Sequence, residues 1–150
     1  MMKGTVKSGL GSVDQGGLMG YKFKIDLHVR DYECDMQGYV NNAVYQNYLE
    51  HARHEYLQKL GINFAVLAKQ KINLVVVRVE LDYRFPLQSG DHFWIGSNLE
   101  RISKIRFKFW QDLYRYPDDK PVLKSVVVGT SLNEKGRPQL FKEVDDLLPD

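Results

Sequence analysis

From Phe23 to Val29 the chain alternates strictly: Phe23, Ile25, Leu27 and Val29 on one side, Lys24, Asp26 and His28 on the other. A period of two predicts a half-buried strand. The period then changes. Val44, Tyr45, Tyr48, Leu49, Ala52, Tyr56 and Leu60 recur three or four apart, while Glu50, Arg53, His54 and Gln58 fall largely on other faces. This spacing predicts one long, Tyr-rich amphipathic helix of about four turns. Asn41 or Asn42 can cap its start, and Gly61 is placed to end it. A second short helix is expected over residues 64–69. After it, Val77, Val79, Leu81, Tyr83 and Phe85 alternate with Arg78, Glu80, Asp82 and Arg84 until Pro86 breaks the run. Phe93, Ile95 and Leu99 mark the next strand, and Ile105, Phe107 and Phe109 the one after. A β-branched run over 122–132 stops at Asn133-Glu134-Lys135-Gly136. Strand, long helix and four strands joined mostly by hairpin-length turns predict an α+β fold: an antiparallel sheet with the helix covering one face.

Composition narrows the class. The 150 residues suit one domain, and 43% hydrophobic with 27% charged residues is ordinary for a soluble globular protein. Six of the twelve glycines fall in residues 1–20, which carry little bulky apolar surface. That segment is expected to be a flexible Gly-rich extension, with the folded domain over 21–150. Twenty-one basic against nineteen acidic residues leave a net charge of +2, too balanced to indicate a nucleic-acid partner. A single cysteine, Cys34, excludes an internal disulfide and a multi-cysteine zinc site, and suits a reducing compartment such as the cytoplasm. No apolar run approaches the roughly 20 residues of a membrane span, and the first twenty residues lack the apolar core of a secretion signal.

Common catalytic fingerprints are absent: no G-x-S-x-G, no P-loop, no G-x-G-x-x-G and no H-E-x-x-H. His51 and His54 lie at helical spacing but without an evident third ligand, so no metal is expected there. The unusual stretch is residues 29–42, where Asp31, Glu33 and Asp35 crowd a short loop that feeds the long helix. A helix start offers unpaired N–H groups that can polarise a carbonyl oxygen, and a carboxylate beside it could attack that carbonyl or activate water. On spacing alone the same acids also read as turn residues and helix-start charges. Arg101, Lys104, Arg106 and Lys108 form a basic run that is either a solvated edge or a contact for phosphates or an acidic carrier.

Arg30-x-Tyr32-x-x-Asp35-x-x-Gly38-x-Val40-Asn41-Asn42-x-x-Tyr45-x-x-Tyr48-Leu49-Glu50-x-x-Arg53 resembles the signature of the 4-hydroxybenzoyl-CoA thioesterase-like hotdog family. Asp82-Tyr83-Arg84-Phe85-Pro86-Leu87-x-Ser89-Gly90-Asp91 matches that family's second strand and turn. Residues 30–33, 40–45 and 53–55 are similar to its acyl-ACP and long-chain acyl-CoA thioesterase branch, which includes plant plastid members. The resemblance implies a hotdog fold, a sheet wrapped around the long helix, and hydrolysis of an acyl-CoA or acyl-ACP thioester without a cofactor. It implies Asp35 as nucleophile or general base and the Asn42 N–H as oxyanion contact, with Asn41 beside it. Tyr45 would border the acyl tunnel; on the functional reading of the basic run, Arg101 with Lys104 would contact the carrier. It also implies a homodimer or homotetramer with sites shared between subunits, and a plastid location if the source is a plant. Many members have His where this chain has Tyr39, which bears on substrate choice and argues against a hydroxyacyl dehydratase. A non-catalytic acyl-binding protein would be expected to lack the loop acid. Cys34 reads as packing, and Glu50 as a partner for Arg53 or His54.

Overall fold

The computed structural model describes residues 20–148. Most of the expected N-terminal extension, residues 1–19, therefore lies outside the described residues. The chain forms β1 (Phe23–His28), a single 3-10 turn (Asp31–Glu33), α1 (Val44–Lys59), α2 (Phe64–Lys69), β2 (Asn73–Tyr83), β3 (His92–Arg101), β4 (Arg106–Arg115), β5 (Lys120–Leu132) and α3 (Lys142–Asp145). All strand pairings are antiparallel, in one sheet of order β1-β3-β4-β5-β2.

Sheet order differs from a simple run of hairpins. β3, β4 and β5 are hairpin-linked neighbours, but β2 pairs with β5 at one edge while β3 pairs with β1 towards the other. Residues 84–91 therefore cross from one side of the sheet to the other. β2 also departs from the expected inward row. Its register shifts between Val76 and Arg78, a bulge that inserts Val77, and Val77, Val79 and Tyr83 are exposed. An edge strand has no neighbour to cover them.

α1 buries the face its periodicity predicts: Tyr45, Tyr48, Leu49, Ala52 and Tyr56, with Leu57 added. It packs against the inner face of the sheet, where Tyr48 meets Phe93 and Tyr56 meets Phe109. At its end Ile62 N–H donates to Leu57 O (3.0 Å) and Gly61 N–H to Gln58 O (3.0 Å), with Gly61 at φ +105°. That left-handed conformation suits glycine. At its start, Ala43 occupies the cap position and makes no side-chain bond. Asn41 acts two residues earlier, its Oδ1 accepting from Ala43 N–H (3.0 Å).

The core is in two parts. One apolar cluster gathers Tyr45, Tyr48, Leu49, Leu87, Ile95, Leu113 and Leu123 under the first half of α1. The other gathers Tyr56, Leu57, Leu99, Phe107, Phe109 and Val127 under the second half. Between them lie three polar residues on adjacent strands, Ser97, Gln111 and Ser125, paired in register and buried. Gln111 Nε2 donates to Ser97 Oγ (3.2 Å) and to Leu49 O (3.1 Å), so the belt also holds α1. Each of the three sits in the inward phase of its strand, where an apolar residue belongs by period alone. That polar interruption was the signal by which sequence reasoning could have found them.

Candidate active site

The acidic loop is tied down on all sides. Cys34 bridges Val40, Tyr39 bridges Gln88, and Val40 N–H donates to Leu87 O (2.9 Å). Gly38, at φ +86°, closes the tip. Glu33 Oε1 accepts from Arg30 N–H (2.8 Å) and from Tyr48 O–H (2.8 Å), and Asn41 N–H donates to Glu33 O (3.1 Å). Burial and the Glu33 carboxylate together raise the Tyr48 hydroxyl far above its ordinary range, which keeps it a donor. Asp31 accepts from the Ser89 hydroxyl. Two of the three loop acids are therefore structural: Glu33 fastens the loop to α1, and Asp31 fastens it to the 88–91 turn.

Asp35 differs. It is exposed, and only its Oδ1 is engaged, accepting from Gln37 N–H (2.9 Å) and Tyr39 N–H (3.2 Å). Those two amides orient the carboxylate and leave Oδ2 without a partner among the described residues. Asn42 lies on the other arm of the same loop, also exposed. Its carbonyl accepts from Tyr83 O–H (3.1 Å), and its N–H has no acceptor among the described residues. A free amide at a helix start, on the same loop as an open carboxylate, can hold a developing oxyanion while the carboxylate attacks or activates water.

The remaining expected site residues are placed as follows. Tyr45 is buried beneath the loop, with its hydroxyl accepting from Leu87 N–H (2.9 Å), and its ring lies 5.6 Å from that of Tyr83. Asn41 is spent on the turn before α1. Arg101 and Lys104 lie at the opposite end of β3 from the loop, which spans about 30 Å at the rise of a strand, so one chain does not bring them to Asp35. Arg101 pairs with Asp145 (2.5 Å) and donates to its carbonyl (3.1 Å). Lys104 is exposed in the β3–β4 turn. Cys34 Sγ lies 3.8 Å from Arg30 O, and burial together with the carboxylates of Asp31, Asp35, Glu33 and Asp91 pushes its thiol up, away from nucleophilic thiolate. Among the described residues no group of three His, Cys, Asp or Glu side chains could hold a metal, and no helix is long and apolar enough to cross a membrane.

Residues 29–147 match the model of the Thioesterase-like superfamily, and the chain belongs to that family. It is 36% identical over 115 residues to the acyl-acyl carrier protein thioesterase ATL3, chloroplastic, of Arabidopsis thaliana, an alignment covering 77% of this chain and 60% of that one. The chain thus spans 60% of the length of ATL3, and 64% of the related ATL2. It is 34% identical over 117 residues to the long-chain acyl-CoA thioesterase FadM of Escherichia coli, covering 78% and 88%. Among solved structures, a hypothetical protein of Aquifex aeolicus superposes with a TM-score of 0.78 at 28% identity, covering 85% of this chain and 99% of that one. The 1,4-dihydroxy-2-naphthoyl-CoA thioesterase of Synechocystis shares the fold, with a TM-score of 0.77 at 14% identity and coverage of 84% and 94%. The hotdog architecture read from the sequence is therefore the one found.

Proposed function

We propose that this protein hydrolyses an acyl-CoA or acyl-ACP thioester to the free acid and the carrier thiol. The observation that carries this reading is the pairing, on one pinned loop, of an open carboxylate at Asp35 with an unengaged N–H at Asn42. In the nucleophilic version an Asp35 oxygen attacks the thioester carbonyl and the carrier thiolate leaves. The resulting mixed anhydride is then opened by water, which regenerates the carboxylate. In the general-base version Asp35 takes a proton from water as the water attacks. In both, the Asn42 N–H receives the carbonyl oxygen as it gains charge. The named activities of ATL3 and FadM support the substrate class, and neither step requires a cofactor.

The working unit is a homodimer, or a tetramer built from it. β2 is an unpaired edge of eleven residues bearing exposed Val76, Val77, Val79 and Tyr83, a surface that antiparallel pairing with a second copy would cover. Centring that pairing on Val79 sets Arg78 of each copy opposite Glu80 of the other. The expected location is the cytoplasm, or the plastid in a plant. A panel of acyl-CoA and acyl-ACP thioesters followed by release of free thiol tests the reading: saturable turnover on at least one carrier is expected, and no release from any would overturn it.

A further inference from the structure

The polar belt that divides the core reaches the surface at one residue. Arg53, on α1, sends Nη1 to Gln111 Oε1 (3.1 Å) and makes no ion pair among the described residues. Among the described residues no buried polar side-chain atom lacks a hydrogen-bond partner, so its remaining N–H groups are not sealed into the core. They open onto a groove between α1 and the edge of the sheet. The groove has two chambers, and Glu50, Arg53, Val76 and Val127 line both. The first, about 260 Å³, continues towards the helix start along Gln46, Asn47, Leu49 and Val79. The second, about 90 Å³, is walled by Leu57, Phe64, Leu74, Phe107 and Phe109. α1 and β2 run past each other in opposite directions, since Tyr83 at the end of β2 touches Asn42 while Val76, earlier in β2, faces Arg53. The groove therefore runs down to the guanidinium from Gln46 and Asn47, on the side of α1 nearer the Asn42 amide.

We infer that Arg53 is the chain-length stop of the acyl site: the acyl chain lies in the first chamber and ends where it meets the guanidinium. This rests on the thioesterase reading above. Arg53 lies eleven positions after Asn42, about 16 Å at the rise of a helix, which an extended chain of about twelve carbons spans. To continue, the chain would have to strip water from a cation that forms no close ion pair among the described residues. The few methylenes that the second chamber could then bury return less than that costs. Gln111 holds the guanidinium in place, and is itself held by Ser97 and the Leu49 carbonyl, so the stop cannot easily swing aside. Burial already works against the Arg53 charge, with Glu50 only partly offsetting it.

The test compares octanoyl, dodecanoyl and hexadecanoyl thioesters on whichever carrier the full-length protein hydrolyses. Wild type should turn over the first two and discriminate against the third. Arg53→Met, which keeps the apolar stem and removes the charge, should raise the hexadecanoyl-to-dodecanoyl ratio of kcat/KM by about tenfold or more. Arg53→Lys, which keeps a charge at the same point, should retain the wild-type cut-off, a split that a merely structural arginine would not produce. Leu74→Phe, which fills the second chamber, should leave wild-type turnover of all three unchanged but cancel the gain in the Arg53→Met background. If Arg53→Met fails to fold, the single Leu74→Phe variant still decides, because a loss of dodecanoyl turnover would mean that the chain passes Arg53. An unchanged profile in folded Arg53→Met, or equal wild-type turnover of dodecanoyl and hexadecanoyl thioesters, would overturn the inference while leaving the thioesterase reading intact. Failure of wild type on every thioester would instead remove that reading, and the inference with it.

Discussion

At the loop end of the sheet, Asp35 makes no ion pair among the described residues, and its carboxylate is held only by backbone amides. At the other end, around the β3–β4 turn, charges are largely spoken for: Arg101 by Asp145, and Lys108 by Glu100 (3.3 Å) and the Trp110 ring (4.2 Å). In the sequence the two regions look alike, each a run of like charge with a single opposite charge, Arg30 or Glu100, at its edge. The difference comes from residues far along the chain. α3 brings Asp145 to Arg101, whereas among the described residues nothing brings a cation to Asp35. An ionisable group without a partner is available for chemistry or binding; one with a partner is mostly fixing geometry.

The largest effect expected from this contrast is at Asp35. Asparagine preserves the shape and the two amide contacts but supplies neither base nor nucleophile. Asp35→Asn should lower kcat by about 10² or more with melting temperature near wild type. Steady-state kinetics on the accepted thioester beside a thermal melt would check it. Full activity in this variant would move the catalytic carboxylate elsewhere, with Glu50 the first place to look.

Glu33 is the sharper control, because it lies two residues away and carries the same charge. Its carboxylate fastens the loop to Tyr48, so Glu33→Ala should cost about 1–3 kcal/mol of stability, the range for removing an acceptor from partly buried donors. Denaturant unfolding would register the loss. Any fall in kcat should be smaller than in Asp35→Asn, since the loop would loosen without losing its reactive group. If the two variants lost equal activity at equal stability, the distinction between the two acids would collapse.

Local pattern carried much of this architecture. The period of α1, the Gly61 stop, the short α2 and the inward rows of β3 to β5 follow from neighbours a few residues apart, and all are where periodicity places them. The loop acids were visible too, but not the division of labour among them, because the Tyr48 and Ser89 contacts that occupy Glu33 and Asp31 are long-range. The bulge in β2 and its place at the sheet edge depend on pairing with β5, which alternation cannot reveal. The Ser97–Gln111–Ser125 belt likewise emerges only when three strands are set in register.

At the hairpin end, Arg101→Ala should remove about 1 kcal/mol by releasing α3 from β3, a modest figure because Asp145 is nearly half exposed. Its kcat should not move. Chemical denaturation with and without the Asp145→Ala change in the same chain would show whether the pair acts as a unit: the double variant should lose little more than either single one.

The smallest effect expected is at Lys104, the exposed basic side chain at the tip of the β3–β4 turn. A charge there can steer an acidic carrier during encounter but cannot touch the thioester of the same chain, given the length of β3. Charge reversal should therefore act on association and not on chemistry. Lys104→Glu should raise KM for an acyl-ACP substrate about two- to threefold at low salt, and the difference should shrink as ionic strength rises through the physiological range. Turnover of a short carrier-free thioester should be unchanged, as should the melting temperature, because no partner is lost. An equal rise in KM for both substrates would show that the turn shapes the site instead of meeting the carrier. No change on either substrate would return Lys104 to the solvated edge, leaving the loop as the one end of the sheet whose charge is used.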